Sequence, residues 1–277
     1  MSQQGAASPP AVAFDKVSFA FDDNVVLRDV SFTVAKGCMK VLLGASGAGK
    51  SVILKLILGL LRPDAGAIHV NGQRIDQMLE SDLMVLRGNI GMSFQELALF
   101  DSLNVAENVG YRLEEELRLP PDEVAARVTE VLGFVGLGEH MDRMPTQLSG
   151  GQRRRVAIAR AMASKPSLLL FDDPTTGLDP IVAASVDDEI IKLRDLEHVT
   201  SIFVTHQIRD AFYIATHQAR MDGTELRIED ADEAKAAEVQ FMVLHEGGIH
   251  FEGTAAELLA ARDVYVKEFM FMTLPPW

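Results

Sequence analysis

The sequence predicts an α/β fold: a parallel sheet covered on both faces by helices, with antiparallel strands beside it. Three observations lead there. Residues 12–35 alternate apolar and polar over short runs, VAFDKVSFAF then VLRDVSFTV, the period of antiparallel strands with one buried face. SLLLF (167–171) and TSIFV (200–204) are continuous apolar runs with a helical stretch, 180–196, between them, and that strand–helix–strand rhythm implies parallel pairing. Between these two regions, from about 104 to 163, the pattern is helical, as expected of an inserted α-helical subdomain.

The elements follow in order. SQQGAASPPA has neither a basic stretch nor an apolar core, so it is expected to be a disordered tail over residues 1–11 and not a signal peptide. MKVLLG (39–44) is a short buried strand ending in glycine. SVILKLILGLL (51–61) is apolar all round and is expected to be a buried helix that Pro63 closes. AIHV (67–70) with Asn71-Gly72 predicts strand and turn, and IGMSF (90–94) another strand. Pro121 marks a helix start, and Val124, Val128, Val131, Leu132 and Val135 make one apolar stripe. FMVLHEGGIHFEG reads as a hairpin leading to a C-terminal helix and tail over 254–277. Residues 222–240, with seven acidic and two basic side chains, read as an inserted, solvated excursion.

Bulk properties narrow the class. With 277 residues, 48% of them apolar, the chain can bury a large core. A net charge of −14 disfavours general binding of nucleic acid or anionic lipid. The single cysteine, Cys38, allows no intrachain disulfide and is expected to be a small buried packing residue. The longest apolar stretch, 52–61, contains Lys55 and Gly59 and is too short to span a bilayer, so any membrane part must come from another chain. His69, His140, His198, His217, His245 and His250 show no ligand spacing and read as surface or packing residues.

Residues 44–51, GASGAGKS, fit the phosphate-cradling G-x-x-x-x-G-K-[ST] loop between a buried strand and a helix. Gly44, Gly47 and Gly49 let the backbone wrap so that successive N–H groups meet one phosphate, and the helix adds its positive end. Ala45, Ser46, Ala48 and Val52 complete the expected lining. Lys50 neutralises β and γ oxygens, and the Ser51 hydroxyl ligates Mg²⁺. The loop resembles that of P-loop NTPases, which implies a RecA-like core and by itself leaves kinases, GTPases and ATPases open.

LSGGQRRRVAIARA (148–161) narrows the class further, for with it the chain resembles the ATP-binding cassette (ABC) ATPases over about residues 12–260. Here Ser149 can cap a helix while Gly150 and Gly151 expose amides to an anion, beside Gln152. The resemblance implies ATP and Mg²⁺ as cofactors, an ABC ATPase domain over 12–253 with its helical subdomain at about 96–163, and a homodimer closed by ATP, each LSGGQ meeting the other subunit's γ-phosphate. It also implies roles residue by residue. Gln95 senses Mg²⁺ and the attacking water, Asp172 holds Mg²⁺ through water, TGLD ending at Asp179 touches the opposite subunit, and His206 contacts the γ-phosphate. Phe21 stands where the family stacks an aromatic ring on adenine, with Phe19 as rival; a core strand position is the other reading of Phe21. Asp173 departs from the pattern. The family usually has glutamate there as general base or water orienter, and aspartate stops one methylene, about 1.5 Å, short. Since a misplacement of about 1 Å can cost about 10²-fold in rate, the expectation is a slow but real ATPase.

GASGAGKSVILKLILGLLRPDAG, IGMSFQELALFDSLNVAENVGYRL and RMPTQLSGG look like the ATPases of Mla/Mce-type bacterial lipid-transport systems. That likeness implies a cytoplasmic ATPase on the inner membrane's inner face that drives integral permease subunits, with phospholipid or a related lipid handled by partners and no nucleic acid bound. Apolar Leu97, Leu99, Phe100 and Leu103 are either core or a permease-facing surface. Residues 222–240 are a lid, a partner contact or a tolerated loop, and the tail VYVKEFMFMTLPPW packs on its own subunit or crosses to a dimer mate. Two other functions remain open: a soluble ABC ATPase outside transport, such as an iron–sulfur assembly component, and a nucleotide-gated structural switch with negligible hydrolysis.

Overall fold

The computed structural model describes residues 9–223 and 225–273. Most of the tail expected over residues 1–11 therefore lies outside the described residues, as do the last four residues.

The N-terminal half builds an antiparallel sheet around one helix. Strands β1 (Val12–Phe21) and β2 (Asn24–Val34) form the expected hairpin, and β4 (Ala65–Val70) pairs with the other edge of β1. Between them run β3 (Met39–Leu43) and α1 (Lys50–Ile57). Asn71 and Gly72 both have positive φ and turn the chain into the short β5 (Gln73–Arg74), giving the order β2-β1-β4-β5. The helix expected over 51–61 is shorter. It ends at Ile57, because Gly59 takes a left-handed φ of 63° and the Leu60 N–H returns to the Lys55 carbonyl at 2.9 Å. Nor is it buried all round, since Lys55 is exposed.

Then come α2 (Glu80–Arg87), absent from the sequence reading, β6 (Ile90–Ser93), α3 (Val105–Glu115) and α4 (Pro121–Phe134). Asn104 and Glu107 close a capping box at the start of α3, with bonds of 2.8 and 2.7 Å. The valine stripe of α4 is buried as expected. Helix α5 (Gly150–Met162) runs from LSGGQ to beneath β6, followed by β7 (Leu168–Asp172), α6 (Pro180–Leu196), β8 (Thr200–Val204) and α7 (Ile208–Thr216).

The acidic segment is largely exposed, as expected of a solvated excursion, but it has regular structure. It is the outer part of a hairpin, β9 (His217–Asp222) and β10 (Glu225–Asp230), followed by α8 (Glu233–Ala236). Lys235 ties it down by reaching the buried Asp195 carboxylate at 3.0 Å. Strands β11 (Val239–His245) and β12 (Gly248–Gly253) form the predicted hairpin, and α9 (Ala255–Leu259) and α10 (Val264–Thr273) follow. Val266, Phe269 and Met270 of α10 are buried against this subunit.

The central sheet has the order β12-β11-β3-β8-β7-β6, parallel from β11 to β6. Its strands are apolar on both faces because both are covered. Val41, Leu43, Leu169, Phe171 and Phe203 enter a core shared with helices α3 to α7. Leu42, Leu168, Leu170, Ile202 and Val204 point the other way, into a core shared with α1 and the antiparallel sheet. Cys38 is half-buried, more open than expected, because it precedes β3 at the sheet margin.

Candidate nucleotide site

Parallel strands point their carboxyl ends the same way, and ligands gather there. The loop after β3 is GASGAGKS; Gln95 follows β6, Asp173 follows β7 and His206 follows β8. They meet in a cavity of about 410 Å³ lined by Phe21, Asn24, Val26, Ser46, Gly47, Gly49, Lys50, Ser51, Val52, Gln95, Asp173 and His206.

The cradle depends on glycine at two positions. A Cβ on Gly44 would sit 2.6 Å from the Leu244 carbonyl oxygen, and Gly49, at φ 97°, packs against the side chains of Val26 and Leu27. Ala48 closes the loop through its N–H to the Ala45 carbonyl at 3.1 Å. Lys50 donates from Nζ to the carbonyls of Gly44 (2.8 Å) and Ala45 (3.0 Å). Burial lowers its pKa against the opposing charges of Asp173 and Asp172.

Ser51 Oγ donates to Asp172 Oδ1 at 2.9 Å. Burial raises the pKa of Asp172; the Ser51 bond opposes the rise, and the charge of Asp173 adds to it. A hydroxyl joined to a carboxylate, with an amide nearby at Gln95, is a set of hard oxygen donors. It fits Mg²⁺ carried by phosphate, which would supply charge neutralisation at the β and γ oxygens. Among the described residues no group of three or more His, Cys, Asp or Glu could hold a metal ion.

Asp173 is buried and has φ 46°, a left-handed conformation that aspartate tolerates better than most residues. Its Oδ1 accepts the His206 backbone N–H at 3.1 Å and lies 2.8 Å from His206 Nδ1. The carboxylate of Asp173 meets His206 at both its backbone and its ring. The short side chain thus spends its reach on the histidine.

Phe21 is 48% exposed and lines the cavity, whereas Phe19 is 6% exposed and belongs to the core, their rings meeting edge to face at 4.8 Å. Ser149, Gly150, Gly151, Gln152 and Asp179 are not brought into this cavity. Ser149 and Gln152 form a capping box, and Asp179 caps α6 by accepting from Ile181 and Val182 N–H at 3.1 Å. Both helix starts are therefore built, but they stand outside this chain's own phosphate loop.

Over residues 27–176 the sequence matches the family of ABC transporters. The chain belongs to the ABC transporter family. This ABC cassette is 39% identical over 204 residues to the Fe(3+) ions import ATP-binding protein FbpC of Escherichia coli, covering 74% of this chain and 57% of that protein. It is 43% identical to the sulfate/thiosulfate import ATP-binding protein CysA of Synechococcus elongatus (74% and 58%) and 42% identical to the methionine import ATP-binding protein MetN 1 of Rhodopseudomonas palustris (72% and 53%). The chain spans little more than half the length of these relatives. Its fold is similar to cbiO1 of Clostridium perfringens, part of the ABC transporter complex cbiONQ (TM-score 0.76, 26% identity, 96% of each chain). It is also similar to a dimeric post-hydrolysis cassette bound to ADP and Pi (TM-score 0.70, 26% identity, 88% of this chain and 98% of that one). The P-loop core, antiparallel subdomain and helical subdomain are those of an ABC ATPase.

The sequence reading missed Asn24 and Val26, which line the cavity from the start of β2. FDDNV does mark a turn, but nothing in it says what the turn faces. The apolar residues around Gln95 divide: Leu99 packs on the core, while Phe94 and Phe100 remain exposed at 40% and 37%. Leu97 and Ala98 carry left-handed φ angles of 65° and 49° in that loop.

Proposed function

We propose that this chain is the ATP-binding and hydrolysing subunit of a transporter, closing on a second copy of itself through ATP and driving integral permease subunits from the cytoplasmic face of the inner membrane. The observation that carries this reading is the split site: one cavity holds the phosphate loop with Gln95, Asp173 and His206, while the LSGGQ helix start of the same chain does not line it. A second copy would supply what each cavity lacks. In that closed state Lys50 and the loop amides bind phosphate, Phe21 stacks on the base, and Asp173 with His206 orients water and γ-phosphate. Among the described residues no helix is long and apolar enough to cross a membrane, so the translocation path would belong to partners.

The cargo we propose is phospholipid or a related lipid, handled by partner chains of the Mla/Mce type. The long phrase from IGMSF to GYRL supports this, together with the exposed Phe94 and Phe100 beside Gln95. The named relatives import iron, sulfate and methionine, so cargo varies within the family. A tagged chain purified from native membranes, with its partner proteins and bound lipids identified, tests the proposal. An integral permease with a lipid-binding partner is the expected result. A permease for a soluble solute overturns the lipid assignment, and a soluble scaffold without permease favours an iron–sulfur assembly role. The tether between Asp173 and His206 favours one second reading, a slow ATP-gated switch.

A further inference from the structure

Arg154 lies in the second turn of α5, five residues beyond Ser149, and is 7% exposed. Its guanidinium donates to the carbonyl of Gln95 and, at the outer limit of distance, 3.5 Å, to that of Phe94. The other amino group donates to the Thr176 carbonyl at 2.9 Å. One buried side chain therefore holds the loop leaving β6 and the loop leaving β7, and those strands are neighbours in the sheet. Arg160, further along α5, reaches the Ala98 carbonyl at 2.6 Å but touches only the first loop. Burial pushes the pKa of Arg154 down and the charge of Asp173 opposes that.

We propose that Arg154 is a positioning residue that ties the LSGGQ helix to both the Gln95 loop and the 176–179 loop, so that an anion seated at Ser149–Gln152 moves the two loops together. The inference rests on the ATPase reading of the site. An α-helix is stiff over one turn, and five residues carry a displacement about 7.5 Å from Ser149 to Arg154. At Arg154 the displacement meets backbone, not flexible side chains. Gln95 then moves with its own carbonyl, and Asp179 lies three residues beyond Thr176. A guanidinium can address carbonyls in several fixed directions at once, which the point charge of lysine cannot.

Two measurements on the full chain test this. In hydrogen exchange without nucleotide, Arg154→Met should speed exchange of amides in residues 94–98 and 175–179 together, by about tenfold or more, the loss of roughly one charged hydrogen bond per loop. The amides of α5 should stay protected. In steady-state ATPase assays the milder Arg154→Lys should lower kcat about tenfold with KM for ATP within about twofold, as expected of misplacement and not of lost binding. In a Gln95→Ala background the same change should cost much less, because the loop it acts through no longer carries its reporter. Unchanged exchange in either loop, exchange rising along the whole of α5, or fully multiplicative rate losses would overturn the proposal. A wild-type chain that does not hydrolyse ATP would instead remove the ATPase reading, while the exchange experiment still decides the tie.

Discussion

Asp173→Glu is the perturbation that bears most directly on the chemistry. The native carboxylate sits on a residue at φ 46° and is held by His206 through N–H and Nδ1. Glutamate adds one methylene, about 1.5 Å of reach. If turnover is limited by a carboxylate held about 1 Å too far back, restoring the reach recovers up to about 10²-fold, and at least a tenfold rise in kcat is expected. There is an opposing cost. Glutamate lacks the local hydrogen bonding that helps aspartate accept left-handed backbone, a penalty of about 1 kcal/mol. In a domain of this size that lowers Tm by about 2–4 °C. Steady-state phosphate release at saturating ATP and Mg²⁺, with Lys50→Ala as background, reads the first effect, and thermal unfolding reads the second. Turnover that is equal in the two proteins, or lower in the glutamate variant, refutes the argument from reach. The Asp173–His206 pair would then be the working arrangement.

Three further outcomes are expected. Lys50→Ala should weaken ATP binding by about 10- to 10²-fold, the worth of charged hydrogen bonds of about 1.5–3 kcal/mol, in a fluorescent-nucleotide titration; unchanged affinity would remove the lysine from the phosphate site. Phe21→Ala should weaken ATP binding about tenfold by loss of stacking and leave stability nearly unchanged, while Phe19→Ala should destabilise the fold by about 3 kcal/mol; the reverse pattern in nucleotide titration and urea unfolding would exchange their roles. Burial, with the charges of Asp210 and Asp188 adding to it, raises the Asp187 pKa to about 9. The folded state therefore binds a proton that the unfolded state releases near pH 4, so stability falls as pH rises through that window. Asp187→Asn should flatten the decline of Tm between pH 6 and 9, and an unchanged slope would show that Asp187 is already ionised.

Local features were legible because neighbours in the chain make them. GASGAGKS lies between a buried strand and a helix, so its loop could be read directly. The Ser149 cap closes within three residues, and the helix read over 180–196 is α6, Pro180–Leu196. The family followed from two such local motifs, GASGAGKS and LSGGQ. Other outcomes were settled over long separations. Bulges in β1 shift the register between Phe19 and Ala20, and Phe21, not Phe19, faces the cavity. The hairpin β9–β10 takes His217 onward, directly after α7, and is anchored by Lys235 on Asp195, forty residues away. Gln95, Asp173 and His206 converge because β6, β7 and β8 are adjacent in the sheet, and Arg154 finds its carbonyls for the same reason. Helix caps and turns are short-range bonds that leave a mark in residue order. The pairing of distant strands leaves none, because any apolar strand can lie beside any other until the whole core is packed.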